Sequence, residues 1–433
     1  MAGGAGSARL GWSQASFLIS HYGGSVMYNA LKTAEILLPK QGADLSKWAV
    51  VACDQFTAQP EYWEKADALV GDAPSALRLV LPEAWLGEGE ARIPAIHRAM
   101  GEYLASGTLA PAVKDGFVLT ERTTPSGVRP GLVAALDLDA YDFRPGSESL
   151  IRATEGTVLE RVPPRARIRA GAPVELPHVM MLIDDPADTV IGPLFAKRET
   201  LRPLYDFELM LDGGHLRGWA VEDGDARGVF AAVDALNAKA GGLLYAVGDG
   251  NHSLAAAKQC WLDIRETLTP EEWEKHPARF ALVELVNLAC PALVFEPIHR
   301  ALFGVEPVAL MAEYRAYLAE NGADEGEGDD LTAFDGAGNV WRFKSAQHPL
   351  RLLQAFLDGY LRRHPEASID YIHGEDALRA LVSRPDTLGL MPRAFDKSEL
   401  FDFIRCFGVL PRKTFSMGEA TEKRYYVEAR RIL

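Results

Sequence analysis

The stretch LLYAVGDGNHSLAAAKQCWLDI, residues 243–264, decides the reading of this chain. Its first six residues, Leu243 to Gly248, are apolar or small and read as a buried strand. The turn Asp249-Gly250-Asn251-His252 follows, and a helix begins at once. Leu254, Ala257, Trp261, Ile264 and Leu268 then recur at steps of 3, 4, 3 and 4, which is one apolar helix face. The first N–H groups of a helix have no partner within it, and glycines at 248 and 250 leave room for a ligand against the backbone. An anion suits such a helix start. His252 can donate to a phosphate oxygen or move a proton, while Asp249 can hold magnesium, act as a base or orient His252. An ordinary strand–turn–helix joint with Asp249 or Asn251 as N-cap accounts for the same residues.

Outward from this unit, hairpins and helices alternate irregularly. WAVVAC, from Trp48, reads as a short buried strand ending at Asp54. A helix capped near Pro60 follows, with Tyr62, Trp63, Ala66 and Leu69 on its apolar side, and another covers Ile93 to Leu104. GFVLTERTTPSGVRPGLVAALDL reads as a hairpin turning at Pro125-Ser126-Gly127, and YDFELMLDGGHLRGWAV as a second turning at Gly213-Gly214. VMMLI, Val179 to Ile183, is a buried strand; Phe230, Val233 and Leu236 mark a helix; a further helix runs from Pro307 to Asn321. ADEGEGDD reads as a surface loop. Hairpins mixed with helices indicate an α+β fold with mixed sheets, not a regular βαβ series. Boundaries near 145 and 305 would divide it into an N-terminal α/β region (27–145), a central region with the DGNH turn (146–305) and a C-terminal α/β region (306–433). Residues 1–26 lack a basic start and a long apolar run, so a disordered extension ahead of Met27 is expected rather than a signal peptide.

Composition restricts the function classes. With 433 residues, 48% hydrophobic and 24% charged, the chain can bury a large core, and wholesale disorder is excluded. Sixty acidic against 45 basic side chains leave −15, the opposite of a duplex nucleic-acid binder. No apolar run approaches the roughly 20 residues of a membrane span. The four cysteines stand far apart, which suits reduced thiols and a cytoplasmic protein.

Candidate chemistry lies in four further segments. RATEGT packs Arg152, Thr154, Glu155 and Thr157 into six residues, a carboxylate beside hydroxyls and a cation. Such a group suits deprotonating an alcohol or holding magnesium, and equally a surface turn with an arginine–Glu155 pair. In PPRARIRAG, Arg165, Arg167 and Arg169 fit either anion ligands or an edge strand, and the inward alternation of Ile168 favours the strand for Arg167 and Arg169. EPIHR puts Glu296, His299 and Arg300 after the apolar PALVF, at an expected strand end; His178, before VMMLI, is a weaker case of the same kind. PRKTFSMG supplies Arg412, Lys413, Thr414 and Ser416. The sequence has no H-E-x-x-H zinc motif, P-loop, G-x-S-x-G elbow or dinucleotide fingerprint.

DGNH before a small-residue helix resembles the D-G-x-H-R signature of the ParB/sulfiredoxin-like superfamily, which includes a free-serine kinase and binds phosphate through that motif. Nearly the whole chain from Met27 resembles the domain of unknown function 1015 family. The resemblance rests on RATEGTVLER (152–161), LPHVMMLIDDP (176–186), YAVGDGNHSLAAAK (245–258), FEPIHRALFG (295–304) and LPRKTFSMGEATEKRYYVEARRI (410–432). It implies a phosphotransferase acting on serine or O-phosphoserine in serine metabolism, serine kinase-like or, as a hydrolytic variant, phosphoserine phosphatase-like, with ADP or ATP as co-substrate and magnesium as cofactor. Glu155, Asp249 and His252 would be catalytic. Gly248, Gly250, Asn251, Ser253, Arg152, Arg161, Arg165, His299, Arg300 and Lys413 would hold phosphate or nucleotide. The superfamily's arginine is Ser253 here, which removes a planar cation. Arg152, Arg161, Arg165, Arg300 and Lys413 are the candidates to replace it. A non-catalytic nucleotide- or anion-binding adaptor fits the same motif without that arginine. The expected partner is a small molecule, with neither nucleic acid nor membrane.

Overall fold

The computed structural model describes residues 28–433; the extension expected over 1–26 lies outside them. The fold is α+β, built on two large sheets. The first has eleven strands. Its main path runs Arg202–Glu208, His215–Val221, Leu109–Thr124, Gly127–Asp137, Phe280–Asn287, Met180–Ile183, Tyr245–Asp249, Ile151–Ala153, Tyr141–Asp142. Both expected hairpins are present, Leu109–Thr124 with Gly127–Asp137 and Arg202–Glu208 with His215–Val221. The second sheet is antiparallel, in the order Val340–Phe343, Leu331–Asp335, Thr387–Pro392, Phe295–Phe303, Ser368–His373, with Phe415–Met417 joining the start of Phe295–Phe303.

Strand direction sets the edge at which the DGNH turn emerges. Tyr245–Asp249 runs parallel to Ile151–Ala153, with Tyr245 opposite Ile151 and Val247 opposite Ala153. It runs antiparallel to Met180–Ile183, with Asp249 opposite Met180. The ends of two parallel strands and the start of an antiparallel one therefore share one sheet edge, where Glu155, Asp249 and His178 all fall.

The helix after the turn spans Asn251–Arg265. Leu254, Ala257 and Trp261 enter the sheet's core, as their spacing requires. Ala255 and Ala256 are buried as well, against Val162 of the helix Val162–Arg169. That helix corrects the expected edge strand at Arg167 and Arg169. Pro163 and Pro164 sit in its first turn, where their missing N–H groups cost nothing and their fixed φ favours helix. A second correction concerns EPIHR, which lies inside the strand Phe295–Phe303 and not beyond its end. In the helix Pro60–Val70 the buried side is Trp63, Ala66 and Val70, and Leu69 faces solvent. WAVVAC contributes only the two-residue strand Val50–Val51, paired with Tyr425–Tyr426.

All four cysteines are free. Among the described residues no helix is long and apolar enough to cross a membrane.

Candidate functional site

Gly250 takes φ +82°, the left-handed conformation that reverses the chain between strand and helix without the penalty a Cβ would bring. The strand entering from the neighbouring segment supplies a second reason for both glycines. A Cβ at Gly250 would lie 3.1 Å from Val179 Cγ2, and one at Gly248 2.9 Å from Leu182 Cγ. Close packing of Val179 and Leu182, not an open approach for a ligand, occupies the space above them. No side chain caps the helix start. Asp249 instead turns back to accept the Gly250 N–H through Oδ1 at 3.0 Å. Asn251 Nδ2 reaches Thr154 Oγ1 at 3.5 Å, and its buried Oδ1 has no hydrogen-bond partner among the described residues.

Three other segments arrive at the same edge. The Leu410 N–H bonds Thr154 O at 2.7 Å, which lays the 410–414 segment beside Glu155. The Tyr425–Tyr426 pairing with Val50–Val51 delivers Lys423 and Asp54. Lys423 Nζ stands 3.5 Å from Asp249 Oδ2, and its charge also acts on Glu155 and Asp54. Burial pushes the Glu155 carboxyl above its ordinary range, and Asp249 adds to the rise; Lys413, by charge and backbone N–H, and Lys423 oppose it. Burial acts the same way on Asp54, but His178, a hydrogen bond from Gln55 and Lys423 outweigh it and hold that carboxyl low. Glu155, Asp249, Lys413 and Lys423 thus form one mixed cluster of two acids and two cations.

His252 Nε2 accepts the Val158 N–H at 3.2 Å, which leaves its ring proton on Nδ1. Burial, then the charges of Arg165 and Arg161, depress its pKa to about 4, with Asp54 opposing. At neutral pH His252 is an uncharged donor. One residue on, Ser253 Oγ lies 3.1 Å from His178 Nε2, while His178 Nδ1 meets the Tyr426 hydroxyl at 2.7 Å. Ser253, His178, Arg165 and Tyr426 line a cavity of about 140 Å³ whose other walls include Leu81 and Met100. The cavity begins at Ser253, one residue beyond the turn.

The remaining expected residues divide. Arg165 is largely buried, paired with Glu83, and lines the cavity. Arg161 is exposed, and its charge reaches His252. Arg152 is not brought to the turn, because its guanidinium folds back onto Ser149 O and Gly242 O, before the motif strand begins. Arg300 is fully buried and donates to Lys413 O at 3.1 Å, so it supports the Lys413 loop from beneath. Lys413 itself sits at φ +57°, a conformation this bond helps hold. His299, on the adjacent strand position, feels Glu375 and His373 and makes no bond to the turn. Asp54, Lys423 and Tyr426 were not singled out by sequence reasoning. Asp54 ends an apolar run, and Lys423 lies in the basic, aromatic C-terminal motif, but only strand pairing joins them to Asp249. Among the described residues no group of three His, Cys, Asp or Glu side chains is arranged to hold a metal by itself.

A family model described as "Protein of unknown function (DUF1015)" matches residues 37–369, about three quarters of the chain. No curated protein matches the sequence. Among solved structures, a free serine kinase variant in complex with ADP aligns at TM-score 0.38 and 9% identity, covering 68% of this chain and 91% of that one. A conserved hypothetical protein from Pyrococcus furiosus gives 0.33 and 9%, over 68% and 90%. C-terminally truncated SbnI from Staphylococcus aureus gives 0.35 and 10%, over 66% and 82%.

Proposed function

The chain belongs to the DUF1015 family, and from its site we propose that it is a phosphotransferase moving a phosphoryl group between a nucleotide and the hydroxyl of a small amino acid, with serine and O-phosphoserine as the pair to test. The observation that carries this reading is the convergence of Glu155, Asp249, Lys413 and Lys423, from separate stretches of chain, beside an uncapped helix start. Phosphoryl transfer needs positioning and charge neutralisation more than covalent chemistry. The two lysines and the first-turn N–H groups supply positive charge for phosphate oxygens. Neutral His252 adds a directed Nδ1–H donor. Glu155, whose carboxyl burial pushes above its ordinary range, is a stronger base than a free carboxylate and is the group suited to take a proton from an alcohol.

Magnesium usually binds one or two protein carboxylates and completes its shell with phosphate and water. Asp249 and Glu155 fit that requirement, and Asp249 keeps Oδ2 only loosely engaged by Lys423. The ion would neutralise phosphate charge there.

Purified protein with magnesium, and either serine with ATP or ADP or phosphoserine with ADP or AMP, is expected to interconvert serine and phosphoserine. His252→Ala should abolish turnover with the fold intact. If calorimetry detects neither nucleotide nor phosphoserine binding, with or without magnesium, the assignment fails. A second reading, a nucleotide- or anion-binding adaptor without turnover, is favoured by Ser253 standing where the superfamily has arginine. It takes over if nucleotide binds and every substrate pair stays unreacted.

A further inference from the structure

We propose that Ser253 is a nucleophile that carries the phosphoryl group covalently, with His178 as its base. The inference rests on the phosphotransferase reading and adds an intermediate to it. Ser253 Oγ and His178 Nε2 are 3.1 Å apart, and the Tyr426 hydroxyl holds the imidazole from behind through Nδ1. The Tyr426 hydroxyl accepts the Cys53 N–H at 3.2 Å. It also meets His178 Nδ1 at 2.7 Å; in the proposed mechanism Nδ1 donates to this hydroxyl and Nε2 offers its lone pair to the serine hydroxyl.

Asp54 Oδ2 lies 3.8 Å from the same Nε2, placed to stabilise the imidazolium once the proton has moved. His178 is buried and its ring is fixed from behind, whereas Ser253 is half-exposed and borders the cavity. A hydroxyl, a base within hydrogen-bond reach and a group orienting that base form the usual arrangement of an activated nucleophile. Packing alone does not require a serine linked to a histidine, a tyrosine and a carboxylate from three other segments.

In the first half-reaction Ser253 Oγ attacks the terminal phosphorus of a nucleoside triphosphate. The Oγ–P bond forms, the bond from phosphorus to the bridging oxygen breaks, and the nucleoside diphosphate leaves with that electron pair. The serine proton passes to His178 Nε2. In the second, the acceptor hydroxyl gives its proton to Glu155 and attacks the same phosphorus, while Oγ departs and recovers its proton from His178. Phosphoserine in the first turn of a helix faces unpartnered N–H groups, which favour its charge.

The test is rapid-quench labelling of the full-length protein with γ-³²P-labelled nucleoside triphosphate and magnesium, followed by intact mass and peptide mapping. Label is expected on Ser253 and should be discharged by adding serine. Ser253→Ala should remove it, Ser253→Thr should retain it on the new hydroxyl, and His178→Gln should slow labelling by about 100-fold or more, the usual worth of a general base. Circular dichroism checks that each variant is folded. Steady turnover with no labelled protein at any quench time, or label mapped to another residue, overturns the nucleophile and leaves the phosphotransferase reading standing. Absence of both turnover and label overturns both.

Discussion

His252→Gln tests the electrostatics of the helix start without any assumption about substrate. The wild-type imidazole has its pKa lowered from 6.5 to about 4, first by burial and then by Arg165 and Arg161. A depressed folded pKa means that the unfolded chain takes up the proton first as pH falls. The stabilisation is therefore complete above about pH 6.5 and is lost as pH drops toward 4. At 1.36 kcal/mol per pKa unit the full difference would be about 3.4 kcal/mol. The ring is only half-buried and solvent screens it, so the realistic loss is on the order of 1–2 kcal/mol. Glutamine cannot titrate and can still accept the Val158 N–H through its carbonyl. Urea unfolding near pH 7.5 and near pH 4.5 should show the wild type losing about 1–2 kcal/mol more than the variant over that interval. Phosphate bound at the helix start should move the imidazole titration, followed by NMR, back upward. Equal pH dependence in the two proteins, or an imidazole that titrates at its ordinary pKa, would refute the argument.

Arg424→Met should cost about 3–5 kcal/mol in chemical denaturation, because it strands Glu284 and Glu428, both buried, without their shared cation. Arg300→Met removes the donor to Lys413 O and leaves that carbonyl unpaired; a stability loss of about 1–3 kcal/mol is expected, together with a higher KM from a displaced Lys413 loop. A KM equal to wild type would separate Arg300 from the site. Glu155→Gln should lower kcat by about 100-fold or more with little change in KM if the carboxylate takes the acceptor's proton, and an effect confined to KM would reassign it to binding.

Local pattern was enough for the strand–turn–helix unit, both hairpins and the α+β class, because alternation, 3–4 spacing and glycine turns are written in neighbouring residues. The helix Val162–Arg169 was misread because its alternating Ile168 suggested a strand, while Pro163-Pro164 start a helix only when something covers it, here Ala255 and Ala256. Glu155, Asp249 and Lys413 could be nominated from residue type and motif. Asp54, Lys423 and Tyr426 could not, since they reach Asp249 and His178 only through the two-residue pairing of Val50–Val51 with Tyr425–Tyr426. The same holds for Arg152 and Arg300, equal candidates by charge. One folds back onto Ser149 and Gly242, and the other lies buried under Lys413. The chain's own order determined which chemical groups were available. Which of them meet was decided by strand direction and register, because two parallel strands and one antiparallel strand had to end at a common edge before their flanking acids, lysines and histidines could share one site.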